Sequence, residues 1–358
     1  MHPEGTDYSL VDFNRAGIPL MELVTEPDLK SALETRKLAE ELRLILKYLD
    51  VSEADMEKGQ LRVEANISLA KESEVQKGKF GTKVEIKNLN SFRAVEKAID
   101  YEIERQEKVL KSGKKIIQET RGWDNIKGVT KSQREKEYAH DYRYFPEPDL
   151  PQIKWKKEEI KEIKAELPEL PQHKRVRLKR EYAIDSKEIE VLVQNKELGE
   201  YFEKVISELS PKLSREKLSE LIKLTSNYLI TDLQGLLKGK RVSDKEFLIN
   251  PENFAEFITL IHQKVISSKI AKSLLPEMLK TGADPSHIIE EKGLAQITDT
   301  AEIEGIVKEV ISKNQKAVKD FREGKAGAIQ FLIGEVMAAS KGKANPEIVS
   351  KILKKDLS

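Results

Sequence analysis

The sequence predicts an α+β protein, in which an amino-terminal domain built on an antiparallel or mixed sheet precedes an all-helical tail. Apolar and polar residues alternate over positions 61–69 and 83–87, which is typical of half-buried strands. From about Lys154 this alternation is absent, and helical periodicity continues from about Leu192 to the end. We expect a mixed domain at 1–155, a helical linker region at 156–205 and a helical tail at 206–358. A chain of 358 residues is too long for one ordinary core, which agrees with this division.

Two amphipathic helices are predicted beside the strands. Between positions 38 and 49, leucine and isoleucine recur at the three- and four-residue spacings of a helix, which should span about 29–49. A second helix should begin after Ser91, whose hydroxyl suits an N-cap, and should end at Gly113.

Composition excludes several classes of protein. The chain has no cysteine, which rules out disulfides, cysteine-ligated zinc, iron–sulfur clusters and cysteine nucleophiles. Its 63 basic and 62 acidic residues leave a net charge of +1, so any nucleic-acid contact must come from local patches. No leader sequence or apolar stretch of membrane length is recognisable, and we therefore expect a cytoplasmic protein without a membrane anchor.

The polar faces of the two strands form the first candidate site. The period of two puts their polar side chains on one face of each strand: Arg62, Glu64, Asn66 and Ser68 in the first, and Lys83, Glu85 and Lys87 in the second. If the strands are neighbours, these groups form one patch that could bind a phosphate and a metal ion. An ordinary solvated sheet face has the same pattern, and the alternation alone favours that interpretation.

A second candidate is a carboxylate within an apolar run. Glu22 follows Leu20 and Met21 and precedes Leu23 and Val24, and we expect this run to be a strand. Burial of a carboxylate is costly unless the group is paired or binds a metal. A strand edge where Glu22 points to water is an equally good interpretation.

Residues 141–151 predict an extended strap, because three prolines within six positions exclude a helix interior. Three aromatic residues surround Arg143 just before these prolines. Such a strap either meets a substrate or crosses between two domains.

The end of the tail is locally basic. From Ile311 to Ser358 there are ten Lys or Arg and five Asp or Glu, and Lys341 and Lys343 flank Gly342 in a predicted turn. Ammonium and backbone groups of such a turn can reach phosphates. A solvated helix face also explains scattered lysines, and the residues alone favour it.

Several motifs occur in the order found in one known family. They are YSLVDFNR at 8–15, PLME at 19–22, EPD at 26–28, RVEAN at 62–66, GTK at 81–83, KNLNSF at 87–92, QETR at 118–121 and the strap. In the tail, SSKIA at 267–271, GKA at 324–326 and ASKGKANP at 339–346 continue the agreement. The chain resembles the GatB family, the B subunits of the glutamyl/aspartyl-tRNA amidotransferase, but lacks the family's amino-terminal portion. Val63 and Glu64 depart from the family's usual Cys-Asp, which lengthens the reach of that carboxylate.

The resemblance implies a partial GatB catalytic cradle followed by a YqeY-like helical tail. It implies an ATP- and Mg²⁺-dependent ligase that acts on misacylated Glu-tRNA(Gln) or Asp-tRNA(Asn), or on both. The chain would bind the tRNA and phosphorylate the side-chain carboxyl group, within a heterotrimer with an amidase subunit (GatA) and a small subunit (GatC). A non-catalytic fragment that binds tRNA and its partners is the alternative.

The resemblance also suggests roles for individual residues. The expected catalytic residues are Glu22 (also the metal ligand), Arg62, Glu64, Lys83, Glu85 and Lys87. Those expected to bind the substrate are Asn14, Arg15, Asn66, Asn88, Asn90 and Arg143. Those expected to bind tRNA are Lys269, Lys272, Lys325, Lys341, Lys343 and Asn345.

Overall fold

A computed structural model describes residues 7–8, 10–14, 16–135, 146, 148–209, 213–295, 300–323, 325 and 327–357. The chain forms two compact units, residues 1–161 and 162–358. The first unit contains α1 (Ala32–Tyr48), β1 (Val63–Ile67), α2 (Glu72–Val75), β2 (Val84–Leu89), α3 (Phe92–Lys111), β3 (Glu119–Asp124) and β4 (Val129–Glu135).

The strands of the first unit form one mixed sheet in the order β1-β2-β3-β4. β1 is antiparallel to β2, β2 is parallel to β3, and β3 is antiparallel to β4. The described strands end at Glu135, so the described part of the tail contains no sheet. The α+β prediction with a helical tail is confirmed.

Local signals in the sequence set the two long helices of this unit. The hydroxyl of Ser31 accepts a hydrogen bond from the Glu34 amide at the start of α1, and Ser91 caps α3 through the Ala94 amide at 3.1 Å. Gly113, with φ of +77°, follows α3 in the left-handed conformation that glycine adopts without strain. Both helices were predicted within a few residues of their ends.

The core of the first unit lies between the sheet and α3. Its apolar members are Ala32, Ala65, Ile67, Ile86, Leu89, Ala94, Val95, Ala98, Ile99 and Trp123. The alternation predicted for β1 and β2 therefore puts their apolar residues inside. Burying one large aliphatic side chain of this kind contributes about 1.5–3 kcal/mol.

The expectation of a strand at 20–24 is wrong. Residues 18–26 form neither helix nor strand, and Leu20 is 93% exposed. An extended run becomes a strand only when a neighbour satisfies its backbone groups, and the described strands pair elsewhere. Most of the predicted strap, including Arg143, lies outside the described residues.

The described elements of the second unit are all helices. α4 (Lys157–Glu166) begins in the first unit, and the others are α5 (Pro171–Tyr182), α6 (Ser186–Gln194), α7 (Lys196–Glu208), α8 (Arg215–Asn227), α9 (Gln234–Leu237), α10 (Pro251–His262), α11 (Ser268–Thr281), α12 (Pro285–Glu291), α13 (Thr300–Lys313), α14 (Gln315–Arg322), α15 (Gly327–Ala339) and α16 (Pro346–Leu357). A π-helical turn, Tyr228–Leu233, joins α8 to α9. No helix in the described ranges is long and apolar enough to cross a membrane.

Two apolar clusters stabilise the second unit. Aromatic side chains pack edge to face around Tyr201 of α7, whose ring centroid lies 5.2 Å from that of Phe247, which precedes α10, and 6.0 Å from that of Phe254 in α10. Helices α13–α16 enclose a second cluster of aliphatic side chains that includes Val307, Leu332 and Leu353.

Candidate active site on the polar face of the sheet

The sheet face that points away from the core carries the predicted polar patch. A β-bulge in β2 puts Lys87 and Asn88 opposite Glu64 of β1, because Val63 pairs with Leu89 while Ala65 pairs with Ile86. Asn88 has φ of +64°, an uncommon conformation for a residue other than glycine. Bulges redirect side chains and are frequent near active sites.

An ammonium group joins two carboxylates on this face. The Lys87 Nζ lies 3.3 Å from Glu64 Oε1 and 3.8 Å from Glu85 Oε1. The other oxygen of Glu85, Oε2, accepts a hydrogen bond from the Thr120 hydroxyl at 2.7 Å. The side chain of Glu85 is only 15% exposed, so this carboxylate is held from two sides.

Two amide side chains meet over Gly122 in the neighbouring strand. A second bulge puts Gln133 in β4 beside Gly122, since Thr120 pairs with Arg134 and Arg121 with Ser132. A Cβ at position 122 would collide with the side-chain amide of Gln133 and lie 3.0 Å from that of Asn88. Glycine therefore lets both amides approach the backbone of β3 beside Lys87.

The remaining predicted residues of this patch lie around the same strands. Asn66 pairs with Glu85 across β1 and β2, and Arg62 and Lys83 precede the two strands at exposed positions. Asn90 is exposed between β2 and α3. Gly81, in the GTK motif before β2, has no room for a side chain because the backbone of Leu69 lies against it.

Glu22 lies outside the four strands that carry this patch. It is exposed on a segment that is neither helix nor strand, so the expectation that it lies in a strand is wrong. Asn14 is exposed nearby in sequence, where its amide donates to Asp12 Oδ1 at 2.9 Å. Arg15 and Arg143 lie outside the described residues.

The carboxylates of the patch are the candidate ligands for the expected Mg²⁺. The described residues contain no group of three His, Asp or Glu side chains placed to share a metal ion. Mg²⁺ in nucleotide sites needs only one or two carboxylates, because it keeps several waters and takes phosphate oxygens. Glu64 and Glu85 supply two carboxylates, and the Lys87 ammonium contacts both of them. The donor set of Glu64 and Glu85 therefore fits a magnesium–phosphate group.

A buried ionic network lies behind the patch, between the sheet and α3. Glu102 has no exposed side-chain surface, and Arg105 donates two hydrogen bonds to its carboxylate, at 2.6 and 2.8 Å. Gln106 and Thr130 donate to the same carboxylate at 2.9 and 3.1 Å. The hydrogen bond with Glu102 is the main cause of a raised pKa at Arg105.

The network continues along β3 to two further charged residues. The Arg121 guanidinium donates to the Thr130 hydroxyl at 2.8 Å and to Glu119 Oε1 at 2.6 Å. Burial would raise the pKa of Glu119, but hydrogen bonds from Ser132 and Arg121 outweigh this and hold the pKa below its usual range. Each buried charge here therefore has a partner of opposite sign.

The predicted tRNA-binding residues of the tail are only partly brought together. The Ser267 hydroxyl donates to the Gly342 carbonyl at 3.0 Å, and the stem of Lys269 packs against Gly342. Lys341 is exposed at the same turn with φ of +55°. Lys343 approaches Gly293, so three of the predicted lysines surround this turn.

The other three predicted tail residues have partners elsewhere. Lys272 lies 3.6 Å from Asp232, and Lys325 lies 2.6 Å from Asp320. Asn345 is 7% exposed and caps α16, where its side-chain oxygen accepts from the Glu347 amide at 2.9 Å. A capping role thus accounts for Asn345 without a ligand.

Sequence reasoning missed Thr120, Gly122 and Gln133 in the patch. The QETR motif contains Thr120, but its charged neighbours hid the strand pattern that places Thr120 beside Glu85. A signal was present in the turn after β3, where Asp124 accepts hydrogen bonds from two following amides before Gly128. That turn indicates a hairpin and thus a strand on either side.

Comparison with known families agrees with both units. The model of the GatB/GatE catalytic domain matches residues 1–161, which is the unit that carries the sheet and its polar patch. A second model, described as a GatB domain, matches residues 200–357. These matches define a component of an amidotransferase.

Several known proteins are similar in sequence to this chain along nearly its whole length. They carry the name of the B subunit of an aspartyl/glutamyl-tRNA(Asn/Gln) amidotransferase, and the one from Caldicellulosiruptor bescii is 45% identical over 100% of this chain and 72% of the relative. In Persephonella marina the protein of that name is 48% identical over 97% of this chain and 70% of the relative. The Thermotoga maritima protein is 45% identical over 97% of this chain and 70% of its own length. The chain belongs to the GatB family of tRNA-dependent amidotransferase subunits.

Proposed function

We propose that this chain binds misacylated Glu-tRNA(Gln), Asp-tRNA(Asn) or both, and activates the side-chain carboxyl of the attached amino acid with ATP. The observation that supports it is the chain of contacts Glu64–Lys87–Glu85 on the open face of a sheet in the matched catalytic domain. Its relatives carry the name of an aspartyl/glutamyl-tRNA amidotransferase, which supplies the substrate class.

The reaction needs activation because a carboxylate is a poor acceptor for ammonia. Transfer of the γ-phosphoryl group of ATP to a carboxylate oxygen yields an acyl phosphate and ADP. Ammonia then attacks the carbonyl carbon, the C–O bond to the phosphate breaks, and inorganic phosphate leaves. Phosphoryl transfer depends on positioning and charge neutralisation more than on covalent help from the protein.

The polar patch offers groups for both requirements. Lys87, with Lys83 and Arg62 at the strand ends, would neutralise phosphate charge. Asn66, Asn88 and Asn90 would orient the aminoacyl end of the tRNA. Glu64 and Glu85 would hold the magnesium ion of the nucleotide, which supplies charge neutralisation on the phosphates when bound.

The helical tail would add affinity for the tRNA. Lys269, Lys341 and Lys343 surround one turn, and ammonium groups in such a position suit phosphate oxygens. Ammonia would come from glutamine hydrolysis by an amidase subunit, and a small subunit would complete the heterotrimer. The cytoplasm, where aminoacyl-tRNA is made and used, is the proposed location.

The experiment uses the chain co-expressed with the amidase and small subunits of its own organism. Lys87→Ala should lower the rate of ATP-dependent amidation of misacylated tRNA by about 100-fold, as loss of one charge-stabilising group does. The matched control is Lys108→Ala, which removes a lysine that is 77% exposed on α3 of the same unit. Glutamine hydrolysis measured without tRNA should be unchanged in both variants.

Equal amidation rates for Lys87→Ala and Lys108→Ala would contradict the proposed site. Absence of any ATP-dependent amidation by the wild-type complex would contradict the proposed function itself.

One observation favours a second function, that of a non-catalytic component which binds tRNA and its partners. Glu22, expected as the metal ligand, is exposed and belongs to none of the four strands that carry the patch. In that case the wild-type chain would bind tRNA with its partners and consume no ATP.

A further inference from the structure

β3 presents two different faces through alternate residues. Glu119 and Arg121 point to the buried network at α3, while Thr120, between them, reaches the polar patch on the opposite face. Thr120 is 6% exposed, so its hydroxyl is shielded from solvent. A shielded hydroxyl of this kind bonds to a neighbouring protein group rather than to bulk water.

The partner of this hydroxyl is Glu85 of the patch. β2 and β3 run parallel with Glu85 opposite Thr120, and the Thr120 hydroxyl donates to Glu85 Oε2 at 2.7 Å. A hydrogen bond to a charged acceptor contributes more than one between neutral groups. The second oxygen of Glu85 lies 3.8 Å from the Lys87 ammonium, so each oxygen of the carboxylate has a partner.

The buried network keeps this strand in register. Arg121 donates to the Thr130 hydroxyl and, at 2.8 Å, to the Thr130 carbonyl, which binds β3 to β4 directly after Thr120. Glu119, directly before Thr120, accepts from Arg121. Thr120 thus sits between two residues whose side chains are fixed on the far side of the sheet.

We propose that Thr120 is a positioning residue, which orients the Glu85 carboxylate for the nucleotide–metal group and thereby aligns Lys87. The inference rests on the proposed function, because it assigns Glu85 and Lys87 to the reacting site. Thr120 itself touches no reacting atom. Its contribution is the direction in which Glu85 presents its oxygens.

The test compares Thr120→Val with Thr120→Ser in the complex with the amidase and small subunits. Valine keeps the shape of threonine and removes the donor, whereas serine keeps the donor. Thr120→Val should lower kcat for amidation about 10- to 100-fold, the loss expected for one hydrogen bond to a charged group, with KM for tRNA unchanged. Thr120→Ser should restore kcat to within about threefold of wild type.

Two controls separate positioning from loss of stability. Thr130→Val removes another buried threonine hydroxyl from the same sheet, 4% exposed and bonded to Glu102 rather than to Glu85. It should lower Tm at least as much as Thr120→Val and leave kcat within about threefold, because Arg121 keeps its hydrogen bond to the Thr130 carbonyl and with it the register of β3. In a Glu85→Gln background, Thr120→Val should cause little further loss, since both changes act through one group.

A spectroscopic readout is independent of turnover. In the chain labelled with ¹³C in its glutamate carboxyl groups, the Glu85 resonance is assigned by its disappearance in Glu85→Gln. Thr120→Val should shift that resonance, and Thr120→Ser and Thr130→Val should not. An unshifted resonance, or equal kcat losses in Thr120→Val and Thr130→Val, would overturn the inference. Both results leave the proposed function intact as long as the wild-type complex amidates.

Discussion

The two units hold their candidate functional side chains in different ways. In the sheet unit, Lys87 and Glu85 contact other charged or polar side chains, and a fully buried carboxylate, Glu102, anchors the layer behind them. In the helical unit, Lys341 is exposed at a turn above an apolar core, and Lys269 is also exposed. The sheet unit therefore has a candidate site of fixed geometry, whereas the helical unit has an exposed surface that supplies charge.

This difference matches what each proposed task requires. Phosphoryl transfer depends on donors and cations that are already oriented when charge develops, so small displacements are costly. Binding of a nucleic-acid backbone depends mainly on the number of cations near phosphates and tolerates movement of long lysine side chains. Changes in the sheet unit should therefore affect stability and rate, and changes in the tail should affect salt-dependent affinity.

The largest effect is expected from the buried carboxylate. Glu102→Ala leaves Arg105 and Arg121 without the anionic partner that lies between them, and the free energy of unfolding of the sheet unit should fall by about 3–5 kcal/mol. Trp123 and Trp155, the only tryptophans of the chain, both lie in this unit. Tryptophan fluorescence during urea denaturation therefore measures it selectively.

The control is a glutamate two residues away on the same helix. Glu104 is 68% exposed and pairs with Lys108 in solvent, so Glu104→Ala should change stability by about 0.5 kcal/mol or less. Equal losses in both variants would contradict the view that the buried network stabilises the sheet. A loss of stability in Glu102→Ala that circular dichroism reports but tryptophan fluorescence does not would also contradict it.

A smaller effect is expected in the tail. Changing Lys341 and Lys343 together to Ala should weaken tRNA binding and flatten the slope of log affinity against log salt by roughly one to two units. The matched control changes Lys313 and Lys319 to Ala, which removes the same charge from lysines paired with Glu309 and Glu323. Filter binding of tRNA over a range of salt concentrations measures both slopes.

Parallel slopes and equal affinities for the wild type and the Lys341/Lys343 variant would mean that these lysines are only a solvated surface. Equal flattening in the control variant would mean that net charge, rather than the turn, attracts the tRNA. In both cases glutamine hydrolysis should remain at the wild-type rate, because the proposed function assigns that chemistry to another subunit.

The sequence predicted those elements whose local pattern agrees with their burial. β1 and β2 alternate cleanly because aliphatic residues such as Ile67 and Ile86 face the core. β3 was missed because Glu119 and Arg121 occupy its buried face, and only contacts with Thr130 and Ser132 on another strand make those charges acceptable there. Period-two reading cannot find a strand whose inner face is polar.

The sequence also predicted those residues of the candidate site that lie on the predicted strands. The Glu64, Glu85 and Lys87 cluster followed from alternation plus strand pairing, and the structure joins these three directly. Thr120 required knowledge of a parallel neighbour more than thirty positions away in sequence. Glu22 was misplaced because an apolar run resembles a strand whether or not a neighbour is available to pair with it.

The central claim is that this chain, with its partner subunits, activates the aminoacyl carboxyl group as an acyl phosphate. Misacylated Glu-tRNA(Gln) labelled with ¹⁸O in both side-chain carboxyl oxygens is amidated with ATP, Mg²⁺ and glutamine, and the released phosphate is analysed by mass spectrometry. The account predicts one ¹⁸O atom in the inorganic phosphate for each amide formed, because the C–O bond breaks when phosphate leaves. Amide formation with unlabelled phosphate would contradict it.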